Sequence, residues 1–171
     1  MCEVIMNKLK RLLVLSDNHG SAQEFRNILD EHRGKFDALV HCGDSEWSPE
    51  LLDSCVDCPV YCAKGNCDYG FINREEDVFE FGDHVCFVTH GHRYGVNWGL
   101  EELVEKAQEM GADIVFYGHT HVPDYQEFED ENVIVMNPGS ITLPRQMKPQ
   151  KTYMIVELDE DGQIHPQFYA Y

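Results

Sequence analysis

No stretch of this sequence approaches the roughly 18–20 consecutive apolar residues of a membrane span, so no membrane partner is expected. Basic residues are scarce: 13 Lys and Arg stand against 31 Asp and Glu, a formal net charge of −18. A surface of that sign repels phosphate backbones at long range, which excludes long nucleic acid as an expected partner. An anionic substrate would then need a local positive centre, and bound metal ions would supply one. The opening segment Met1–Arg11 carries Lys8, Lys10 and Arg11 but no long apolar run before a small-residue cleavage site, so no signal peptide is read there. Cysteine is not arranged in pairs. Seven is an odd, scattered count, which points to reduced thiols and a cytoplasmic location. Cys55, Cys58 and Cys62 lie close together, yet no second Cys or His pair follows at zinc-finger spacing. Internal repeats, low-complexity segments and linkers are also missing. The 171 residues therefore read as one domain, 1–171, large enough for a full core.

What is present is a series of short apolar runs with chemistry at their ends. Leu12–Leu15 reads as a buried strand closed by Ser16-Asp17-Asn18-His19-Gly20. Ser21 and Glu24 have capping-box spacing for a helix with Phe25, Ile28 and Leu29 on one face, ended by Gly34. Ala38–Cys42 is a second strand closed by Gly43-Asp44, and Ser48-Pro49-Glu50 starts a short helix. Pro59–Ala63 is a third strand closed by Gly65-Asn66-Cys67-Asp68. Strand alternating with helix is the mark of parallel βαβ units, whose ligand loops gather at the carboxyl ends of the strands.

The pattern then changes to hairpins. Asp77–Phe81 and Val85–Thr89 flank Gly82-Asp83-His84, and the second of these strands ends in His90-Gly91-His92. Asn97 is the expected cap of a helix to about Met110, stopped by Gly111. Asp113–Tyr117 is a strand that runs into Gly118-His119-Thr120-His121, followed by Val122-Pro123. Two more hairpins are expected, Tyr125–Phe128 with Val133–Met136 and Tyr153–Leu158 with Ile164–Tyr169, and Thr142–Lys151 is the expected mobile loop.

Asp17, His19, Asp44, Asn66, His90, His92, His119 and His121 all sit at strand tips beside Gly or Pro. Each has an ordinary reading taken singly. Asp17 or Asp44 can cap a helix, Asn66 can form an Asx turn, and His90 can be a satisfied core histidine. Together they repeat one donor chemistry at most strand ends. Carboxylate, amide and imidazole suit manganese, iron or zinc, and a carboxylate such as Asp44 has two oxygens with which to bridge two cations. Two metals about 3.5–4 Å apart can clamp both the attacking and the leaving oxygen of a phosphate ester.

Asp17-Asn18-His19, Gly43-Asp44, Gly65-Asn66, His90-Gly91-His92 and Gly118-His119-Thr120-His121 resemble, in order, the five signature blocks of the calcineurin-like metallophosphoesterases. The small size, Gly65-Asn66-Cys67-Asp68 and Asn137-Pro138-Gly139-Ser140 resemble its small prokaryotic (YfcE-type) phosphodiesterase branch. The resemblance implies a four-layer α/β/β/α sandwich with mixed sheets and a dimetal site at its rim. It implies that Asp17, His19 and His121 hold one metal, that Asn66, His90 and His119 hold the other, and that Asp44 bridges them. A hydroxide between the metals would attack a small phosphodiester. His92 would line the substrate side; the other reading is a loop histidine bonded to backbone. Asn18 and Asn137 would support the ligands, turn chemistry being the alternative for both. Manganese is the favoured ion, with iron, nickel and zinc fitting the same donors. Cys67 departs from the pattern, since many members carry His there as an acid or phosphate contact. A thiol is a poor replacement for that acid, and Cys67 reads as a small filler. Catalytic roles thus fall to Asp44, Asn66 and His92. The competing class is a catalytically weak metal-binding or protein-interaction scaffold of the same fold, the role taken by the retromer subunit of this superfamily. A homo-oligomer is compatible with the sequence.

Overall fold

The computed structural model describes residues 10–70 and 74–171. Most of the segment read for a signal peptide lies outside the described residues. Two five-stranded sheets are stacked face to face. The first has the order β10-β9-β1-β2-β3, from β1 (Arg11–Leu15), β2 (Ala38–His41), β3 (Val60–Cys62), β9 (Thr152–Leu158) and β10 (Ile164–Ala170). The second has the order β4-β5-β6-β8-β7, from β4 (Glu76–Phe81), β5 (His84–Thr89), β6 (Ile114–Phe116), β7 (Asp124–Phe128) and β8 (Val133–Asn137).

The layers follow from period-two alternation within runs that are apolar on both faces. Leu12, Val14, Ala38 and Val40 of the first sheet meet Cys86, Val88, Ile114 and Phe116 of the second in the central core. The alternate residues of the first sheet, Leu13, Leu15 and Leu39, pack outward on Phe25, Ile28 and Leu29 of α1 (Ala22–Glu31) and Leu52 of α2 (Pro49–Asp53). Phe87, Val115 and Val135 of the second sheet pack outward on Leu103, Val104 and Ala107 of α3 (Glu101–Met110). The result is helix, sheet, sheet, helix: the expected four-layer sandwich with mixed sheets. β1 pairs with β2, and β2 with β3, in parallel, as the early strand–helix alternation requires. β5–β6 and β6–β8 are also parallel, so the carboxyl ends of β5, β6 and β8 share one edge of the second sheet.

Two local expectations need correction. α3 begins at Glu101 rather than after Asn97, which lies in a turn where the Trp98 amide donates to the Gly95 carbonyl (2.8 Å). Gly95 and Gly99 disfavour an earlier start, and Glu101 and Glu102 suit the positive end of the helix dipole. Ser21 is the N-cap of α1, but its hydroxyl bonds the Glu24 carboxylate and no backbone amide, so the capping box is not formed. Ser48 does cap α2, accepting from the Leu51 amide at 3.3 Å.

His84 ties the two sheets together. Its Nδ1 contacts Asp113 Oδ2 (2.7 Å) and its Nε2 donates to the Gly162 carbonyl in the β9–β10 turn (2.8 Å). Only an imidazolium can donate at both nitrogens. Burial disfavours the charge, but the Asp113 contact and the Gly162 bond together outweigh it and the His84 pKa is raised. A raised basic group stabilises the fold fully below its unfolded value of about 6.5, and this contribution is lost as pH rises through the folded value. The stability advantage of wild type over His84→Gln, read from urea melts between pH 5 and 9, should therefore shrink as pH rises. A difference that is flat with pH would mean that the charge is irrelevant to the link.

Candidate metal centre

The residues that follow β1, β2, β3, β5 and β6 converge on one rim of the sandwich. Asp17 and His19 leave β1, Asp44 leaves β2, Asn66 leaves β3, His90 leaves β5, and His119 and His121 leave β6. Their backbone is unusual. Asp17, His19, Asp44, Glu46, His119 and His121 all have positive φ, between 44° and 68°. Among the described residues the only other non-glycine with positive φ is Asn132, in the β7–β8 turn. Such conformations cost of order 1–3 kcal/mol each and persist only where surrounding structure enforces them. Here it does. The Asp17 amide donates to the Gly43 carbonyl (3.1 Å), and the His19 amide to the Asp44 carbonyl (3.0 Å), lacing the first two loops together. Two glycines let the loops close. A Cβ on Gly65 would lie 2.0 Å from Asp44 Oδ1, and one on Gly118 would lie 2.1 Å from Ser16 Oγ.

Three imidazoles are oriented in the same way. His90 Nδ1 donates to the Cys42 carbonyl (2.7 Å), and His121 Nδ1 donates to the Leu143 carbonyl (2.6 Å). His19 Nδ1 contacts Glu46 Oε1 (3.0 Å). A partner on Nδ1 turns each Nε2 inward, as metal-binding histidines require. The Nε2 atoms of His19 and His121 then face each other at 3.3 Å. His121 Nε2 lies 3.2 Å from Asp17 Oδ1, and His90 Nε2 lies 3.4 Å from Asp44 Oδ2 and 3.1 Å from Asn66 Oδ1. His19 Nε2 is 3.9 Å from both Asp17 Oδ1 and Asp44 Oδ2.

Besides His19 with Glu46 and Cys67, the donors form two compact groups, Asp17 with His19 and His121, and Asp17 with Asp44 and His90. The ligand atoms in each lie within 4.8 Å of one another. Asp17 is shared between them, and Asp44 Oδ2 reaches both His19 and His90. His119 is adjacent, its ring 5.2 Å from that of His90, but it is not in either compact group.

The donor set fits divalent cations. Asp17 is fully buried and its Oδ1 accepts no hydrogen bond, although inward-facing imidazoles surround it. A buried carboxylate oxygen without a donor is costly unless a cation neutralises it. Burial alone would raise both carboxyl pKa values. Instead, His121 and His90 hold Asp17 low, and His90 with the Cys67 amide holds Asp44 low. Burial would also depress His90, yet Asp44 and Asp17 raise it. Both acids thus remain ionised and draw positive charge toward them.

Several supporting residues were not singled out in the sequence. Asp68 Oδ2 accepts from the amides of Asp44 (2.9 Å) and Gly65 (2.7 Å), while Oδ1 accepts from the Glu46 amide (2.6 Å). His41 is fully buried and accepts from the Gly43 amide at Nδ1, so its Nε2 donates to Asn18 Oδ1 (2.9 Å). Burial pushes the His41 pKa down to about 4, which keeps this link neutral. Only the Gly65-Asn66-Cys67-Asp68 turn hinted at Asp68. Nothing marked His41, which reads as an ordinary strand residue.

Of the two expected supporting amides, Asn137 also shows the turn chemistry of the alternative reading, its Oδ1 accepting from the Gly139 amide (2.8 Å). Asn18 joins His41 to the Ser45 carbonyl (3.3 Å), and Asn137 Nδ2 donates to the Gly118 carbonyl (2.9 Å). The stretch expected to be a mobile loop is pinned at its start. Ser140 and Thr142 hydroxyls both donate to the Asp17 carbonyl at 2.8 Å, and the Arg145 amide donates to the His121 carbonyl (3.1 Å). His92 opens a short 3-10 turn, His92–Tyr94, with its ring 5.3 Å from that of His90. Its buried Nδ1 has no hydrogen-bond partner, so the reading of a backbone-bonded loop histidine finds no support at that nitrogen. The Cys67 amide donates to Asp44 Oδ1 (2.7 Å), while burial and Asp44 push its thiol up to about 11. A thiol of that acidity is not a thiolate nucleophile near neutral pH.

Residues 11–161 match the family model of the calcineurin-like phosphoesterase superfamily domain. Among curated relatives, the probable metallophosphoesterase YsnB of Bacillus subtilis is 34% identical over 151 residues, 88% of this chain and 86% of its own length. A phosphodiesterase of Methanocaldococcus jannaschii is 28% identical over 144 residues, 74% of this chain and 81% of its own. Among solved structures, a conserved uncharacterized protein of Streptococcus pneumoniae TIGR4, a predicted phosphoesterase, superposes with a TM-score of 0.78 at 30% identity, covering 95% of this chain and 98% of that one. Vps29 of Entamoeba histolytica shares the fold alone, with a TM-score of 0.73 at 22% identity over 94% of this chain and 99% of that one. With its five blocks gathered on one rim and the family match spanning all of them, this chain belongs to the calcineurin-like phosphoesterase superfamily.

Proposed function

We propose that this protein is a phosphodiesterase that works with two divalent cations held at the rim. One observation carries the reading: two compact donor groups share the buried Asp17, whose Oδ1 faces them without a hydrogen-bond donor. Asp17, His19 and His121 would hold one cation. Asn66, His90 and His119 would hold the other, and Asp44 would bridge, its Oδ2 lying between His19 and His90. When bound, such a pair supplies Lewis acidity to the phosphate and acidifies a water for attack on phosphorus.

The chain's own residues do the rest. Cys42, Glu46 and Leu143 fix the three inward imidazoles before any ligand arrives. Burial and the neighbouring His90 lower the His92 pKa, so His92 is neutral near pH 7 and can donate one N–H to a phosphate oxygen. Asn66 presents its carboxamide on the same side. Diester preference draws on the name of the M. jannaschii relative. The net charge of −18 disfavours long nucleic acid, which leaves small phosphodiesters as the substrate class. Manganese is the favoured ion among candidates that include iron, nickel and zinc. We place the protein in the cytoplasm on the free cysteines among the described residues, where no helix is long and apolar enough to cross a membrane.

The scaffold reading draws on the fold shared with Vps29. The retained Asp17, His19 and Asp44, with their orienting partners, favour the enzyme. The test is to strip the purified protein of metal, reload it with manganese, iron, nickel or zinc in turn, and assay a panel of phosphate mono- and diesters. Diester turnover restored by metal is the expected result. Full turnover in the chelated protein ends the metal reading, and metal uptake without turnover of any ester transfers support to the scaffold.

A further inference from the structure

Beside the metal centre lies a cleft of about 390 Å³. Asn66 and His92 line it with Lys64, Tyr69, Glu75 and Arg93, over Gly65, Gly70 and the buried Asp68, whose carboxylate is taken up by backbone amides. His19, His90 and His121 do not line it; it meets the centre through Asn66, whose Oδ1 lies 3.1 Å from His90 Nε2. Two of the chain's 13 basic residues meet here. Lys64 leaves β3 directly ahead of Gly65-Asn66. Arg93 follows His92 inside the 3-10 turn, which sits between Gly91 and Gly95, both with positive φ. A single carboxylate stands between the two cations. Glu75 Oε1 is 4.0 Å from Lys64 Nζ, and Glu75 Oε2 is 3.3 Å from Arg93 Nη1. Ion pairs as exposed as these add little to stability, so folding alone does not account for their placement. With Glu75 ionised the trio keeps one net positive charge, in a protein that is otherwise strongly acidic.

We propose that Lys64 and Arg93 form a subsite for a second phosphate group, carried by the substrate apart from the ester that is cleaved. Glu75 marks the position and competes for it. The inference rests on the phosphodiesterase reading and narrows its substrate class to diesters that bear a further phosphomonoester. Guanidinium binds phosphate through paired N–H donors, and the lysine adds a mobile point charge. The exposed face of Tyr69, 80% accessible, borders the same cleft and is open to stacking by a ring between the two phosphates.

The dinucleotides pApA and ApA differ only in the terminal 5′-phosphate and test the subsite directly. For wild type, kcat/KM should favour pApA by about tenfold, and the preference should weaken with added salt. Arg93→Met and Lys64→Met should each bring the ratio toward one, while turnover of bis(4-nitrophenyl) phosphate is unchanged. Glu75→Gln should raise the ratio. Calorimetry on the same proteins gives a readout independent of turnover: adenosine 3′,5′-bisphosphate should bind more tightly than adenosine 5′-monophosphate in wild type, and equally in Arg93→Met. Equal wild-type kcat/KM for the two dinucleotides, or a preference that survives in the Lys64→Met/Arg93→Met double variant, overturns the subsite. If wild type hydrolyses no ester, the phosphodiesterase reading fails, and the calorimetric comparison alone decides the subsite.

Discussion

Replacing Asp44 with Asn should lower metal content and phosphodiester turnover together, with kcat/KM falling by about a hundredfold or more, roughly 3 kcal/mol of transition-state stabilisation. The substitution isolates the charge. Asp44 Oδ1 accepts the Cys67 amide, and the asparagine oxygen can keep that bond. The change falls on Oδ2, which faces His90 at 3.4 Å and His19 at 3.9 Å. An NH2 group there presents protons where a cation must be met, and it removes the negative charge that keeps the site attractive to metal. The loop conformation has every reason to survive, because the Asp44 amide is held separately by Asp68 Oδ2. Metal analysis by mass spectrometry, diester kinetics and a thermal melt should be run on one preparation. A folded variant with little metal and little activity is the expected outcome. A variant with a full metal complement and wild-type turnover would remove Asp44 from the centre and leave Asp17 as the only candidate bridge.

The donors could be read from the chain because their signal is local. The five strands that carry donors, β1, β2, β3, β5 and β6, are short runs of three to six mostly apolar residues, each followed by one or two polar donors beside glycine. Leu12–Leu15 before Asp17 and Ile114–Phe116 before His119 are of this kind. The four layers follow from the same runs, which are apolar on both faces and so must be covered on both.

Sheet order was not legible. β9 lies against β1 with Leu12 opposite Val156, and β8 lies between β6 and β7. A pairing across more than a hundred residues, as between β1 and β9, or one that skips a strand, as between β6 and β8, leaves no trace in either segment alone. The orienting acceptors were equally hidden. The carbonyls of Cys42 and Leu143 that fix His90 and His121 belong to the backbone, which any residue supplies. Thr142 opens a stretch whose prolines and basic residues suggest a mobile loop, although its hydroxyl, like that of Ser140 just before it, reaches the Asp17 carbonyl.

Asp68 carries the second large prediction. Its carboxylate is 1% exposed and serves only as an acceptor. The amides of Asp44, Gly65 and Glu46 all end on it at 2.6–2.9 Å, with the Ser45 hydroxyl more distant at 3.4 Å. It therefore fastens the loop after β2 to the loop after β3, and it holds Asp44 and Glu46 where their φ values are positive. In Asp68→Ala three amide donors lose their acceptor, and each one left buried costs about 1–3 kcal/mol. A total loss of about 3–5 kcal/mol is expected after partial relaxation, together with loss of metal as Asp44 drifts from His90. Asp68→Asn separates shape from acceptor capacity. Asparagine has the same outline, but one of its two terminal groups is a donor and must face either the Asp44–Gly65 pair or the Glu46 amide. It should thus fall close to alanine in urea melts and in metal content, although a neutral role as spacer would leave it near wild type. Asp44→Asn should differ from both by keeping its melting midpoint while losing metal. That contrast assigns Asp68 to building the centre and Asp44 to occupying it.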